Sequence, residues 1–308
     1  MVYDETPAEK LFRESGPFVH LHTSPKESDV FYRNDKEREV ALNMMAMALY
    51  TSGCRMLAFA IMDNHFHFIL MGSSRLVSAF WDEFSGRLDR YFNRQGRAGM
   101  LDDVQATPTP ISNLIQLRTE IAYVIRNSFV VHTGVHVFAD RWSSGHLYFS
   151  PILEHSGVSA STLKGRALRA FTHTRQGEVP DSRIFVQDGV AQPWSFVDYQ
   201  FTERFFDNAR QFVNSVLKNI EAQVETARRL GERPFLSDDE LRPIVYKLCR
   251  ESFRAESPSA LDENAKKRLA VLLKNNYGAS NKQIARLVRM LLRDVDALFP
   301  LAATPRQA

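Results

Sequence analysis

The chain has 308 residues, of which 44% are hydrophobic and 24% are charged, and its formal net charge is +3. This length allows a sizeable core and two or three domains, whereas so mild a net charge does not by itself indicate a polyanionic partner. No apolar run approaches the roughly 20 residues that cross a bilayer, and the acidic, polar start is unlike a secretory signal, so we expect no membrane partner and a cytoplasmic location. The two cysteines lie far apart and form neither a zinc pattern nor a disulfide framework.

The first predicted elements are a strand over residues 17–23 and a helix that follows it. Asn34 is a suitable N-cap for the helix, because its side chain can accept a hydrogen bond from the first turn. Apolar residues then recur at helical spacing as far as Ser52 and Gly53, where we expect the helix to end.

A hairpin is predicted next, in the stretch LAFAIMDNHFHFILMG at residues 57–72. Asp63 and Asn64 separate two apolar runs, and both residue types suit a two-residue hairpin turn. Side chains alternate across a strand, so His65 and His67 lie on one face of the second strand. Two neighbouring imidazoles can hold one cation, although a pair of this spacing is also common without a metal.

A second helix is predicted from Ser73, with an apolar face and a separate basic stripe. The apolar positions are Leu76, Phe80, Phe84, Leu88 and Tyr91. The basic stripe consists of Arg87, Arg90, Arg94 and, if the helix continues, Arg97. A solvated surface and a surface that contacts DNA phosphates explain this stripe equally well.

A third helix follows a connection at residues 96–110 that can include a strand near 108–111. Ser112 can cap this helix, which reaches about Ser128. Its apolar side is formed by Leu114, Leu117, Ile121, Val124 and Ile125, and the opposite side by a polar stripe of Gln116, Glu120, Tyr123 and Asn127. Periodicity therefore places Tyr123 away from the packing face, where an ordinary surface tyrosine is the commoner explanation.

The order of these elements predicts an α+β fold with an antiparallel sheet, for which a ferredoxin-like arrangement fits best. The segment 135–151 closes this domain, with Trp142, Leu147, Tyr148 and Phe149 as its anchors. We delimit a first domain at residues 1–150, a loop-rich and then helical connection at 151–235, and an all-α region at 236–300.

The all-α region contains a basic stretch, because residues 264–293 include eight lysines and arginines and no acidic residue. Gly278 interrupts one helix and Ser280 can cap a short second helix. Such an arrangement resembles a helix-turn-helix, whose second helix would direct Lys282, Gln283 and Arg286 toward DNA. A plain helical bundle with a basic face remains the alternative.

Four stretches together resemble one family, in matching order over roughly residues 12–150. They are IMDNHFHFILMG, RYFNRQGRAG, IAYVIRNSFVVHTGV and DRWSSGHLYF. The first is similar to the histidine-hydrophobe-histidine (HUH) motif of single-tyrosine HUH transposases, and the third is similar to their catalytic helix. The closest resemblance is to the REP-associated tyrosine transposases of the insertion-sequence-200-like group.

The resemblance implies a function and a set of site residues. His65 and His67 match the metal-binding histidines, Tyr123 the nucleophile, and Asn127 a third ligand for Mg²⁺ or Mn²⁺. The implied reaction cleaves and rejoins single-stranded or hairpin DNA through a 5′-phosphotyrosine. Residues expected to contact the DNA are Arg87, Arg90, Arg94, Lys282, Gln283, Arg286 and Arg289. Members of this family act as monomers or homodimers, and the long C-terminal extension favours a monomer.

The sequence departs from the family pattern at three places. Asp63 replaces a proline, Asn127-Ser128 replaces Asn-Pro, and residues 100–111 lack an aromatic-Gln-basic segment. The last departure leaves room for a domesticated DNA-binding protein that no longer cleaves. A metal-dependent hydrolase without a DNA role would require further ligands, for which His20 and His22 are the only candidates; we assign these two histidines to strand structure.

Overall fold

The computed structural model describes residues 5–24, 30–131, 137–174, 179–218, 220–231, 236 and 238–300. The expected domain limits at residues 1 and 235, and the start of the segment 135–151, lie outside the described residues. The chain divides into two compact units, the first unit at Met1–Asn219 and the second unit at Ile220–Ala308. The expected α+β class and helical C-terminal region are confirmed.

A four-stranded antiparallel sheet forms the centre of the first unit. Its strands are β1 Phe18–Thr23, β2 Arg55–Ile61, β3 Phe66–Met71 and β4 Ala106–Ile111, in the spatial order β2-β3-β1-β4. The predicted hairpin between β2 and β3 is present, because the Met62 amide donates to the His65 carbonyl across Asp63 and Asn64, at 3.1 Å. The expected strand before the third long helix is β4.

Two helices, α2 Asp35–Ser52 and α3 Ser74–Arg94, pack against one face of the sheet. Asn34 caps α2 as expected, and Gly53 ends it in the left-handed conformation, with φ of 77°. The core between these layers is aromatic and fully buried. Its largest members include Phe59, Phe66, Phe68, Phe80 and Phe84.

The other face of the sheet is covered by α1 Pro7–Glu14, α4 Leu114–Val131 and α7 Ala209–Lys218. The apolar side of α4 is buried as predicted, and Ile121 and Val124 are inaccessible to solvent. The expected cap of α4 requires a correction: the side chain of Asn113, rather than Ser112, accepts the hydrogen bond from the Gln116 amide, at 2.8 Å. Ser112 instead binds the Gln116 side chain at 2.9 Å.

The outer edge of β2 is covered by later parts of the chain. The Ile61 amide donates to the Trp142 carbonyl at 2.9 Å, and the Asp198 amide donates to the Met56 carbonyl at 2.8 Å. Unpaired edge strands invite intermolecular pairing, so this cover protects the sheet. After Trp142 the chain also forms β5 Val158–Ser159, α5 Gly165–Thr172, β6 Phe185–Gln187, β7 Val190–Ala191 and α6 Tyr199–Glu203, and these three strands make a second, small antiparallel sheet.

The second unit consists of helices in its described part, with a core that includes Leu269, Leu273 and Ile284. The helices are α8 Ile220–Arg229, α9 Asp238–Phe253, α10 Glu263–Tyr277, α11 Asn281–Val288 and α12 Leu292–Leu298. Gly278 ends α10 in the left-handed conformation and Ser280 caps α11 in a capping box, so the predicted helix, turn and short helix are present. None of the helices described in either unit is long and apolar enough to cross a membrane.

Candidate active site

The polar stripe of α4, formed by Gln116, Glu120, Tyr123 and Asn127, faces the sheet. Glu120, Tyr123 and Asn127 are buried, and only 2% of Tyr123 is exposed. This burial corrects the expectation that Tyr123 lies off the packing face. Helical periodicity identifies the stripe, but both the stripe and the apolar side of α4 are buried, and the apolar side packs on the sheet and on α7.

Histidines on two adjacent strands lie opposite this stripe. His22 on β1 is directly paired with His67 on β3, and His20 lies two residues before His22, so all three project from the same face of the sheet. His65 immediately precedes β3. The centroid of its ring lies 4.9 Å from that of His67. The sheet therefore assembles four buried histidines beneath α4.

A continuous series of hydrogen bonds joins the stripe to these histidines. Asn127 Nδ2 lies 3.1 Å from His67 Nε2, and His67 Nδ1 lies 3.1 Å from His20 Nε2. His20 Nδ1 lies 2.8 Å from Glu120 Oε2, and the other carboxylate oxygen accepts from Gln116 Nε2 at 2.7 Å. Buried polar groups require such partners, so this network stabilises the contact between α4 and the sheet.

Tyr123 completes the cluster beside His67. The two rings are perpendicular, with an interplanar angle of 87° and centroids 5.6 Å apart. The ring of His20 is 6.3 Å from that of Tyr123. The structure thus brings together the four residues that the sequence motifs indicate for the site, which are His65, His67, Tyr123 and Asn127.

The donor chemistry of this cluster fits a divalent cation. Within the described residues, no three or more His, Cys, Asp or Glu side chains form a group that could hold a metal. The predicted ligand set differs from such groups, because its third member is the amide of Asn127. This amide contacts His67 Nε2, and the oxygen on the same carbon is a ligand that Mg²⁺ and Mn²⁺ accept.

Sequence reasoning overlooks His20 and Glu120 as members of the site. It assigns His20 to strand structure and identifies Glu120 only as a position on the polar stripe. A signal for both is present: His20 and His22 repeat the spacing of His65 and His67, and Glu120 lies on the same helical stripe as Tyr123. The pairing of β1 with β3, which sequence alone does not give, brings them together.

The arginine stripe on α3 requires a correction at Arg87. This residue is 9% exposed, and its guanidinium binds the Glu83 carboxylate at 2.6 Å and contacts the sulfur of Met47 at 3.8 Å. Such a position does not suit the phosphate contact expected from the stripe. Arg90 and Arg94 are exposed, and Arg94 donates to the carbonyl of His173. All three lie on the helix that covers the sheet face opposite the histidines.

The basic face of α11 has three exposed members, which are Lys282 and Arg286 on the helix and Arg289 at its C-cap. Arg286 pairs with Asp238 at 2.9 Å. The expectation that Gln283 points toward DNA is corrected, because its side chain makes two hydrogen bonds within the unit. It donates to the Leu236 carbonyl at 2.8 Å and accepts from the Ser280 amide at 2.9 Å. Gln283 therefore serves the cap of α11 and the packing of the unit.

No protein-family model, curated protein or solved structure matches this chain. The geometry around His67, together with the motifs of the sequence, therefore bears on function.

Proposed function

We propose that the chain is a DNA-cleaving and rejoining transposase of the single-tyrosine HUH type, with a ferredoxin-like catalytic domain in its first unit. One observation carries this proposal: Asn127 contacts His67 at 3.1 Å, and Tyr123 packs against the same imidazole. The antiparallel strand order β2-β3-β1-β4, with α2 and α3 on one face, supports the fold assignment.

The ligands of the proposed Mg²⁺ or Mn²⁺ are His65, His67 and Asn127. A divalent cation bound there would withdraw negative charge from the scissile phosphate and help to orient it. The buried position of these side chains excludes water from the ligands, which strengthens electrostatic interactions within the site.

Tyr123 is the proposed nucleophile. Its phenolic oxygen attacks phosphorus, a new P–O bond to tyrosine forms, and the P–O bond to the 3′ oxygen breaks. The phenolic proton is transferred to solvent and the departing oxygen takes up a proton, so the products are a 5′-phosphotyrosine and a free 3′-OH. The number of phosphoester bonds is unchanged, and a second 3′-OH can therefore reverse the step without ATP. A phenol has an ordinary pKa of about 10, so its phenolate leaves more easily than an alkoxide.

Two exposed basic surfaces are available to the DNA. Arg90 and Arg94 on α3 would contact the backbone away from the cleaved phosphate, because α3 lies on the opposite face of the sheet from Tyr123. In the second unit, α11 and its C-cap present Lys282, Arg286 and Arg289, which suit the stem of a hairpin.

A second candidate is a domesticated protein that binds DNA without cleaving it. The 2% exposure of Tyr123 favours this candidate, because a nucleophile must reach the phosphate. The intact set of His65, His67, Tyr123 and Asn127 favours cleavage.

Covalent capture separates the two candidates. The full chain is incubated with Mn²⁺ and a labelled pool of single-stranded hairpin DNAs, and protein-bound label is measured after denaturation. We expect an adduct with the parent and with Tyr91→Phe, a matched control on α3, and none with Tyr123→Phe. Equal adduct from Tyr123→Phe would mean that the nucleophile is misassigned. Retention of native hairpin DNA without any adduct would favour the non-cleaving protein.

The metal role is tested with the same substrate. We expect His65→Ala combined with His67→Ala to remove the adduct, while His155→Ala, which changes an exposed histidine, leaves it unchanged. Cleavage that persists in the double variant would contradict the proposed ligands.

A further inference from the structure

Glu120 and His20 have no part in the reaction proposed above, although both are completely buried next to the proposed ligand His67. His20 lies between them: its Nδ1 is 2.8 Å from Glu120 and its Nε2 is 3.1 Å from His67 Nδ1. A buried carboxylate in contact with a strand histidine 100 positions away needs a physical reason.

With both imidazoles neutral, the donors and acceptors in this series determine where the protons lie. A neutral imidazole has one nitrogen that donates and one that accepts. The carboxylate of Glu120 accepts at both oxygens, one from Gln116 and one from His20. His20 therefore donates from Nδ1 and accepts at Nε2, so His67 must donate from Nδ1. The Nε2 of His67 then carries a lone pair, which accepts from the amide of Asn127.

We propose that Glu120 and His20 are positioning residues that hold His67 in the tautomer protonated at Nδ1. The Nε2 lone pair of His67 is thereby directed at Asn127, where the proposed function needs a ligand, and in this respect the inference rests on that function. Metal-binding histidines commonly donate their other N–H to a carboxylate or another acceptor, which fixes the ring and the tautomer. Here His20 accepts the N–H of His67 and itself donates to Glu120, so the carboxylate acts on His67 through His20.

The substitution Glu120→Gln is expected to reverse the tautomer. Gln116 would continue to donate, so the oxygen of the new amide faces Gln116 and its NH₂ group faces His20. His20 Nδ1 would then accept, His20 Nε2 would donate, and His67 would accept at Nδ1 and carry its proton on Nε2. The side chain keeps its size, so packing is retained. The matched control is Gln116→Met, which alters the same stripe but leaves the carboxylate in place.

The tautomer is measured by ¹⁵N NMR of the histidine-labelled full chain without metal, because protonated and unprotonated ring nitrogens differ in chemical shift. The His67 signals are assigned by their loss in His67→Gln. We expect protonated Nδ1 in the parent and in Gln116→Met, and protonated Nε2 in Glu120→Gln. Protonated Nε2 in the parent would overturn the inference whether or not any variant folds, and an unchanged tautomer in a folded Glu120→Gln would do the same.

Calorimetric titration with Mn²⁺ alone separates this inference from the proposed function. We expect Glu120→Gln to bind Mn²⁺ about 10- to 100-fold more weakly than the parent, because its Nε2 lone pair is lost, and Gln116→Met to bind it with unchanged affinity. A reversed tautomer in a chain whose parent binds no Mn²⁺ would support the positioning role and count against the proposed function. Equal Mn²⁺ affinity of the parent and a tautomer-reversed Glu120→Gln would overturn the link between Glu120 and the ligand.

Discussion

The polar stripe of α4 and the basic face of α11 are both rows of polar side chains on a helix, but their surroundings differ. Glu120 and Asn127 on α4 are buried and hydrogen-bonded to histidines of the sheet, at distances from 2.8 to 3.1 Å. Lys282 and Arg286 on α11 are exposed. The same helical periodicity thus produces a fixed constellation in one unit and a charged surface in the other.

The difference lies in what each row can do. A buried polar group costs free energy unless its partners are in place, so the α4 stripe holds its members at defined distances. Exposed cations contribute little to stability and act on a polyanion through charge, with weak geometric demands. Under the proposed function, the chemistry that requires positioned atoms would take place in the first unit, and the exposed cations of α11 would attract DNA without strict geometry.

The largest predicted effect on stability is that of Glu120→Ala, in the α4 stripe. Removing the carboxylate leaves the buried His20 and the amide of Gln116 without their acceptor, and we expect the free energy of unfolding to fall by about 2–6 kcal/mol, because each unsatisfied buried donor costs about 1–3 kcal/mol. The three tryptophans of the chain, Trp81, Trp142 and Trp194, all lie in the first unit. Urea denaturation followed by tryptophan fluorescence therefore reports on this unit alone.

The control for this experiment is Lys282→Ala, which changes an exposed residue of the other unit and should leave the tryptophan transition unaltered. A loss of less than about 1 kcal/mol for Glu120→Ala would show that the stripe does not form a buried hydrogen-bond network, because one lost neutral hydrogen bond alone accounts for that much.

Local features are predictable from the sequence. The start and end of α2, the hairpin around Asp63 and Asn64, and the cap of α11 at Ser280 follow from side chains that act within a few residues of themselves. The position of Tyr123 and Asn127 on one stripe is also predicted correctly, since that relation depends only on the helix repeat. In each case the determining contacts are short-range in the chain.

The features that could not be predicted from the sequence depend on which elements pack together. Periodicity gives the direction of a side chain around a helix axis but not the element that it meets. The stripe of Tyr123 is therefore expected at the surface, whereas the structure buries it against the sheet. For the same reason Arg87 cannot be distinguished from Arg90 until α2 is known to pack beside it. His20 joins the site only through the register of β1 with β3.

Arg87 and Arg90 on α3 are a matched pair, one buried and one exposed, and substitutions there are expected to have an intermediate effect on stability. Arg87→Ala removes a partly buried ion pair and the packing on Met47, so we expect a loss of about 1–3 kcal/mol in the free energy of unfolding. Arg90→Ala should leave the unfolding transition unchanged but weaken binding of single-stranded DNA. The same tryptophan-detected urea titration and a fluorescence anisotropy titration give the two quantities. A DNA-binding defect in Arg87→Ala that exceeds that of Arg90→Ala would restore Arg87 to the DNA surface.

A smaller effect is expected at α11, where charge acts without fixed geometry. Replacing Lys282, Arg286 and Arg289 by alanine should weaken hairpin binding and lower the slope of log K against log salt by about one for each phosphate that the protein no longer neutralises. The matched control removes the same charge from α9, by replacing Arg242, Lys247 and Arg250, which are also exposed. If both triple variants reduce the slope equally, the attraction is a property of the whole unit and not of α11.

The smallest predicted effect concerns a partly buried polar group outside the α4 stripe, His146. Burial lowers the pKa of His146 below its ordinary 6.5, and the nearby backbone acceptors of Ser143 and Asp140 oppose this shift. The unfolded chain therefore binds a proton more readily than the folded first unit does. The stability contributed by neutral His146 is complete above pH 6.5 and is lost as the pH falls from 6.5 through the folded pKa.

We expect His146→Asn to flatten this part of the stability profile in tryptophan-detected urea titrations, compared with the parent. An unchanged slope below pH 6.5 would mean that His146 is solvated in the folded state, and burial alone would then be a poor guide to which polar groups the first unit constrains.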